Sequence, residues 1–97
     1  MDPRIYVDVQ KHRAAGRGRE WTLTEHEAIY LVTQKCFYCG EKPYEGCGGI
    51  DRIENDKGYV RGNCVPCCGY CNIMKGILSR EEFLLRVKRI CANQHLY

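Results

Sequence analysis

The sequence predicts a small α+β domain stapled by a metal ion. Three observations predict it: helix-period patterns toward both ends of the 97-residue chain, two short apolar runs joined by turn formers in its middle, and two C-x-x-C pairs that bracket those runs. A chain this short forms one domain and buries a modest core. Domains of this size commonly need disulfides or a metal to hold together.

Residues 4–15 read as a short basic helix, ended by the glycines of Ala15-Gly16-Arg17-Gly18. Trp21, Thr22 and Leu23 read as a brief extended piece. Thr24-Glu25-His26-Glu27 has the S/T-x-x-E form of a capping box and opens a helix through about Gln34, with Ala28, Ile29, Leu31 and Val32 as its apolar face. Cys36-Phe37-Tyr38-Cys39-Gly40 forms a tight knuckle, and residues 41–48, with Pro43, Gly46 and Gly48, form a loop. Gly49 to Ile53 reads as a strand, residues 54–58 as a turn and Tyr59-Val60-Arg61 as the return strand of a long-looped hairpin. A helix starts near the second knuckle, Cys68 to Cys71, and runs to about Lys75-Gly76. Ser79-Arg80-Glu81-Glu82 is a second capping box, opening a final helix with Phe83, Leu84, Val87, Ile90 and Cys91 at helical spacing. No linker divides the chain. A basic helical part (1–34), a metal-stapled core (36–76) and a C-terminal helix (79–95) make one domain over 1–97.

The eight cysteines decide the kind of staple. An even number in a short chain can mean a disulfide framework. That framework belongs to secreted proteins, and the N-terminus reads Met-Asp-Pro-Arg-Ile-Tyr-Val-Asp, without the apolar stretch of a signal peptide. No run approaches the ~20 apolar residues of a membrane span. The expectation is an intracellular protein, cytoplasmic or nuclear, where clustered thiols are metal ligands more often than disulfides. Cys36/Cys39 and Cys68/Cys71 lie 28 residues apart. Two residues between cysteines let both thiolates reach one ion from a tight turn, and two such turns complete a tetrahedral Zn²⁺ site. Gly40 and Gly69 would help the backbone wrap the metal. Cys64 and Cys67 form a competing C-x-x-C, and spacing does not choose between the pairs.

The net charge is +3, which alone says little. Its distribution says more. Residues 4–19 hold Arg4, Lys11, Arg13, Arg17 and Arg19, with His12, against one acid, Asp8. Such an excess suits a polyphosphate partner, and it also suits a solvated helix face. Between the knuckles, Asp51 lies on the first strand, and Asn72 directly follows the second knuckle. Because the knuckles share one ion, the hairpin folds back on the following helix, so that Asp51 and Asn72 can face each other. Two oxygen ligands with water and a substrate phosphate suit Mg²⁺ or Mn²⁺. The plainer reading is that Asp51 caps a turn and Asn72 a helix.

Residues 36–76 resemble the HNH, or ββα-metal, nucleases. The resemblance rests on Cys36-Phe-Tyr-Cys39, Ile50-Asp51-Arg52-Ile53, Asn63, Cys68-Gly-Tyr-Cys71, Asn72, Lys75 and Gly76, in the family's order. The strings Gly-Ile-Asp-Arg-Ile-Glu-Asn and Cys-Asn-Ile-Met-Lys-Gly, with the leading segment Arg17 to Thr24, are similar to small HNH proteins of phages and large DNA viruses, which admits a virus-encoded protein. The resemblance implies a ββα-metal motif with flanking helices. It implies structural zinc on Cys36, Cys39, Cys68 and Cys71, leaving out Cys64 and Cys67 because Asn72 must follow the last ligand. It implies a catalytic Mg²⁺ or Mn²⁺ on Asp51 and Asn72, loop-fixing hydrogen bonds from Asn63, and Lys75 near a phosphate. The activity it implies is metal-dependent hydrolysis of DNA phosphodiester bonds, by nicking or double-strand cleavage. Phosphate contacts would come from Lys11, Arg13, Arg17, Arg19, Arg52 and Lys75 on double-stranded DNA. Symmetric cutting would need a homodimer, which no residue demands.

One position departs from the family. Where HNH nucleases carry a histidine after the aspartate, to take a proton from the attacking water, this chain has Arg52. An arginine stays protonated and cannot act as the base. It can grip the scissile phosphate and stabilise its charge. The base would then be His12, His26, His95, Glu54, Tyr59 or a metal-activated water, the last being favoured. Losing a general base costs typically ~10²–10⁴-fold rather than all activity. Two rivals stand beside the nuclease: a degenerate HNH fold that binds nucleic acid without cutting it, which Arg52 supports, and a zinc-ribbon-like protein-interaction module, which leaves the Asp51/Asn72 pair unexplained.

Overall fold

The computed structural model describes residues 1–94. His95, one of the candidate bases and the last residue expected in the final helix, lies outside the described residues. The elements run α1 (Pro3–Gly16), α2 (Glu25–Thr33), a 3-10 turn (Tyr44–Gly46), β1 (Gly49–Arg52), β2 (Cys64–Cys67), α3 (Gly69–Lys75) and α4 (Arg80–Gln94). This is the expected α+β architecture, with a ββα unit at its centre.

Local chemistry sets the helix starts. Asp2 caps α1 by accepting from Arg4 N at 2.9 Å, with Pro3 in the first turn, where its missing N–H costs nothing. Both capping boxes form. Thr24 Oγ1 accepts from Glu27 N at 3.1 Å while Thr24 N donates to Glu27 Oε1 at 2.9 Å. Ser79 and Glu82 exchange the same pair of bonds, both at 3.1 Å. The main core joins α1, α2 and β1 through Val7, Leu23, Ala28, Val32 and Ile50, with Tyr6, Trp21 and Tyr59 packed around it. A second cluster forms around Cys36, Cys67 and Cys71.

The hairpin departs from the expected pairing. Its return strand is Cys64–Cys67 rather than Tyr59–Arg61, with antiparallel register Gly49↔Cys67, Ile50↔Pro66, Asp51↔Val65 and Arg52↔Cys64. Pro66 disguises this strand, since proline cannot donate to a ladder and belongs at edges. The backbone of Tyr59 is engaged elsewhere. Its N–H donates to Glu20 O at 2.7 Å and its carbonyl accepts from Thr22 N at 3.0 Å, a parallel bridge of Tyr59 with Trp21. Residues 53–63 are therefore one long loop, pinned at its middle to the segment before α2. Gly58 permits the approach, because a Cβ there would stand 2.5 Å from Glu20 O.

The final helix forms, but its apolar spacing is not a buried face. Phe83 is buried, edge-on to Tyr38 with ring centroids 5.2 Å apart, while Leu84, Ile90 and Cys91 are exposed. Past its first turn the helix has little to pack against. Among the described residues no helix is long and apolar enough to cross a membrane.

Candidate metal centre and basic groove

The four thiols assigned to the metal come together. The sulfurs of Cys36, Cys39, Cys68 and Cys71 all lie within 4.8 Å of one another. Cys39 and Cys68 sulfurs are 3.7 Å apart, against about 3.8 Å for the edge of a tetrahedron with Zn–S bonds of ~2.3 Å. In the first knuckle Gly40 N donates to Cys36 O at 3.0 Å, and Gly40 itself adopts φ 77°, which favours glycine. In the second, Cys68 caps α3, its sulfur accepting from Cys71 N at 3.4 Å. Gly69 is an ordinary helical residue there, with no left-handed φ to make it necessary.

Burial raises the Cys36 thiol, but N–H groups of Cys39, Cys68 and Tyr38 more than offset this and leave it at about 6. Burial and the neighbouring sulfurs push Cys71 up. Four thiolates this close repel unless a cation neutralises them, which is the donor chemistry of a structural zinc site. The remaining cysteines stand apart. Cys67 is buried, with its sulfur on Cys68 O at 3.4 Å. Burial pushes Cys64 up to about 11. Cys47 reaches Met1 O at 3.9 Å. Among the described residues the four-cysteine set is the one such group.

Asp51 is buried on β1, and both its oxygens are engaged. Oδ2 accepts from the Tyr38 hydroxyl at 2.6 Å, and Oδ1 pairs with Lys75 Nζ at 3.1 Å. Burial, and then the Asp51 carboxylate, push the Tyr38 hydroxyl well above its ordinary range, so it stays a donor. Lys75 is 1% exposed and also donates to Arg52 O at 3.2 Å. Its place on α3 turns Lys75 inward, so that its charge sits against Asp51 rather than on the surface.

Asn63 is buried, with Oδ1 accepting from Glu54 N at 2.9 Å and Nδ2 donating to Glu54 O at 3.2 Å and Gly58 O at 2.9 Å. Its backbone carbonyl accepts from Ile53 N at 2.8 Å. The side chain thus holds the two limbs of the long loop together. Arg52 is half-buried. Its NH1 donates to Asn55 O at 2.7 Å and Lys57 O at 3.0 Å, and its guanidinium lies 5.6 Å from the Tyr59 ring centroid.

An open groove of about 1380 Å³ runs between α1, the first knuckle, the hairpin and α3. Asp51 and Asn72 both line it, as do Arg13, Arg17, Arg19 and Arg52. Lys11 does not, because it stands elsewhere on α1. Of the candidate bases within the described residues, Tyr59 lines the groove, whereas His12, His26 and Glu54 are exposed outside its lining.

No family model matches the chain. It is 42% identical over 87 residues, 90% of its length, to an uncharacterized protein of Acanthamoeba polyphaga mimivirus, and spans 16% of that protein's length. Among solved structures it superposes on the rare-cutting HNH restriction endonuclease PacI with a TM-score of 0.73, covering 97% of this chain and 80% of that one at 20% identity. The chain has the HNH fold.

Within this HNH fold, sequence reasoning missed two features. Tyr38 reads from sequence as a spacer between two ligands, yet it binds Asp51. The exposed face of α3 reads as knuckle and cap, yet it lines the groove. Its signal was present in the spacing of Tyr70, Ile73, Met74 and Ile77.

Proposed function

We propose that this chain is a metal-dependent DNA endonuclease of the HNH type, stapled by one zinc ion on Cys36, Cys39, Cys68 and Cys71. The observation that carries the reading is the shared groove: Asp51 and Asn72 open into a cleft whose walls carry four arginines, on a fold like that of an HNH restriction endonuclease. Asp51 and Asn72 would hold Mg²⁺ or Mn²⁺, for which hard oxygen donors are suited. A carboxylate offers about four lone-pair sites, and Tyr38 and Lys75 use two, so Asp51 keeps room for a cation. The chemistry such an ion would supply there is positive charge for the leaving 3′ oxygen and the phosphoryl oxygens.

The chain's own residues do the rest. Arg13, Arg17 and Arg19 hold the phosphate backbone independently of sequence. Asn63 keeps the loop in shape. Arg52 presents positive charge where the phosphate would lie, Tyr59 lines the groove beside it, and a metal-activated water stays the favoured source of the nucleophile. The opposing reading, a binder that does not cut, draws on the same geometry: Lys75 already neutralises Asp51, and Arg52 already bonds two loop carbonyls.

A supercoiled-plasmid assay with Mg²⁺ or Mn²⁺ separates the two. Metal-dependent nicked or linear product that disappears with Asp51→Ala, and forms faster with Arg52→His, is the expected result. A plasmid that is retarded but never cut, except by Arg52→His, would make the protein a binder.

A further inference from the structure

The helix after β2 carries an apolar stripe that nothing in the fold covers. Tyr70, Ile73, Met74 and Ile77 are 84%, 80%, 62% and 92% exposed. The i, i+3, i+4 spacing of Tyr70, Ile73 and Met74 sets them on one face of α3, away from the buried Cys71 and Lys75, and Ile77 follows just past the helix, beyond Gly76. A surface helix ordinarily turns such a stripe inward. Four large apolar side chains together in solvent mark a contact surface.

The stripe is held stiffly. Lys75 anchors the back of the helix to Asp51. Beyond it, Gly76 N donates to Asn72 O at 3.1 Å, and the Asn55 side chain, reaching over from the hairpin loop, donates to Ile77 O. The last apolar residue therefore projects from a backbone fixed on both sides.

The groove that these four residues line is also lined by Arg13, Arg17, Arg19 and Arg52. Its occupant must offer negative charge to one wall and an apolar surface to the other. Duplex DNA has both, phosphates outside and a base stack within. Opening a base step costs stacking energy, which burial of inserted apolar side chains can offset. An acidic amphipathic protein segment matches the charge, but leaves Asp51 and Asn72 without a role in the same groove.

We infer that the apolar surface formed by Tyr70, Ile73 and Met74 on α3, with Ile77 just beyond it, is a wedge that enters the base stack of duplex DNA and opens a step next to the bond held at Asp51. The inference rests on the DNA-cleaving reading above. Wedge insertion would give specificity without hydrogen bonds to bases, because easily unstacked steps would be opened at lower cost.

The test uses the zinc-loaded full chain without added magnesium or manganese, on duplexes carrying 2-aminopurine at successive positions and a dye at one end. Anisotropy of the dye reads binding, and 2-aminopurine fluorescence reads unstacking. The expected result is a several-fold fluorescence rise at saturation, mostly lost in the Ile73→Ser, Ile77→Ser double variant while that variant still saturates the duplex. Both residues are exposed, so its circular dichroism should match that of the parent. Saturation with no rise, or the same rise in parent and variant, overturns the wedge and leaves the stripe to a protein partner. No anisotropy change with the parent chain brings down the DNA reading itself, and the wedge with it.

Discussion

The four-cysteine knuckles and the Asp51 groove lie side by side, yet they are built in opposite ways. Each knuckle gathers its ligands from a single turn, and the pair closes on itself. Asp51 gathers its partners from three places, Tyr38 in the first knuckle, Lys75 on α3 and the paired strand β2, and faces an open cleft. The difference teaches which region depends on which. Tyr38 sits between two thiol ligands, and Lys75 follows the fourth, so the knuckles position the groups that orient Asp51.

Removing the metal should give the largest effect. Structural zinc contributes apparent free energies of about 10–16 kcal/mol at neutral pH. Stripping it with a strong chelator, or changing Cys36→Ser, should therefore abolish the cooperative thermal transition seen by circular dichroism. Metal analysis should find one zinc per chain. A chelated protein with an unchanged melt would mean that the core of Val7, Leu23, Ala28, Val32 and Ile50 stands without a staple, and the dependence argued above would be broken.

Lys75→Met should come next. It leaves the Asp51 carboxylate buried without its cation, and breaking such a pair from one side costs about 3–5 kcal/mol. Urea unfolding at neutral pH measures this, and a loss below about 1 kcal/mol, the range of exposed pairs, would show that the pair is more wetted than its burial indicates. If the knuckles dominate, the variant should still bind zinc with full stoichiometry.

The smallest effect belongs to the helix caps. The Glu27 carboxyl is held below the usual range by the Thr24 N–H and then by Arg61, and that of Glu82 by the Ser79 N–H. A lowered folded value stabilises at pH above the unfolded value, about 4.3, and the benefit is lost as pH falls through the folded value. Glu27→Gln should thus lower the melting temperature slightly at pH 7 and not at all at pH 3. A shift of equal size at both would mean that the charge contributes nothing.

What could be read in the sequence follows the same division. Both capping boxes and the knuckles were legible because their partners are three residues apart, so spacing alone carries the geometry. The ββα order was legible as well, through the HNH resemblance. The second strand was not, because Pro66 reads as a breaker and Tyr59-Val60 as strand-forming. Only the tertiary bridge from Tyr59 to Trp21 reverses that preference. The burial of Lys75 was hidden for a related reason. A lysine one turn after a knuckle looks solvent-facing until β1 supplies the buried carboxylate beneath it. Tyr38 could not be read at all, since its partner is contributed by a different element. The final helix offered apolar spacing without burial, because periodicity specifies a face and not what lies against it.

Pro66 has one further consequence. Its carbonyl accepts from Phe37 N at 2.8 Å rather than from β1, so the proline's missing N–H lies on the outer edge of β2. That edge offers no donor at Pro66, and the acceptor there is already taken. A free sheet edge is the usual template on which chains stack into aggregates. Here the first knuckle seals it, and a two-stranded sheet can persist at high concentration without recruiting a third strand at that position.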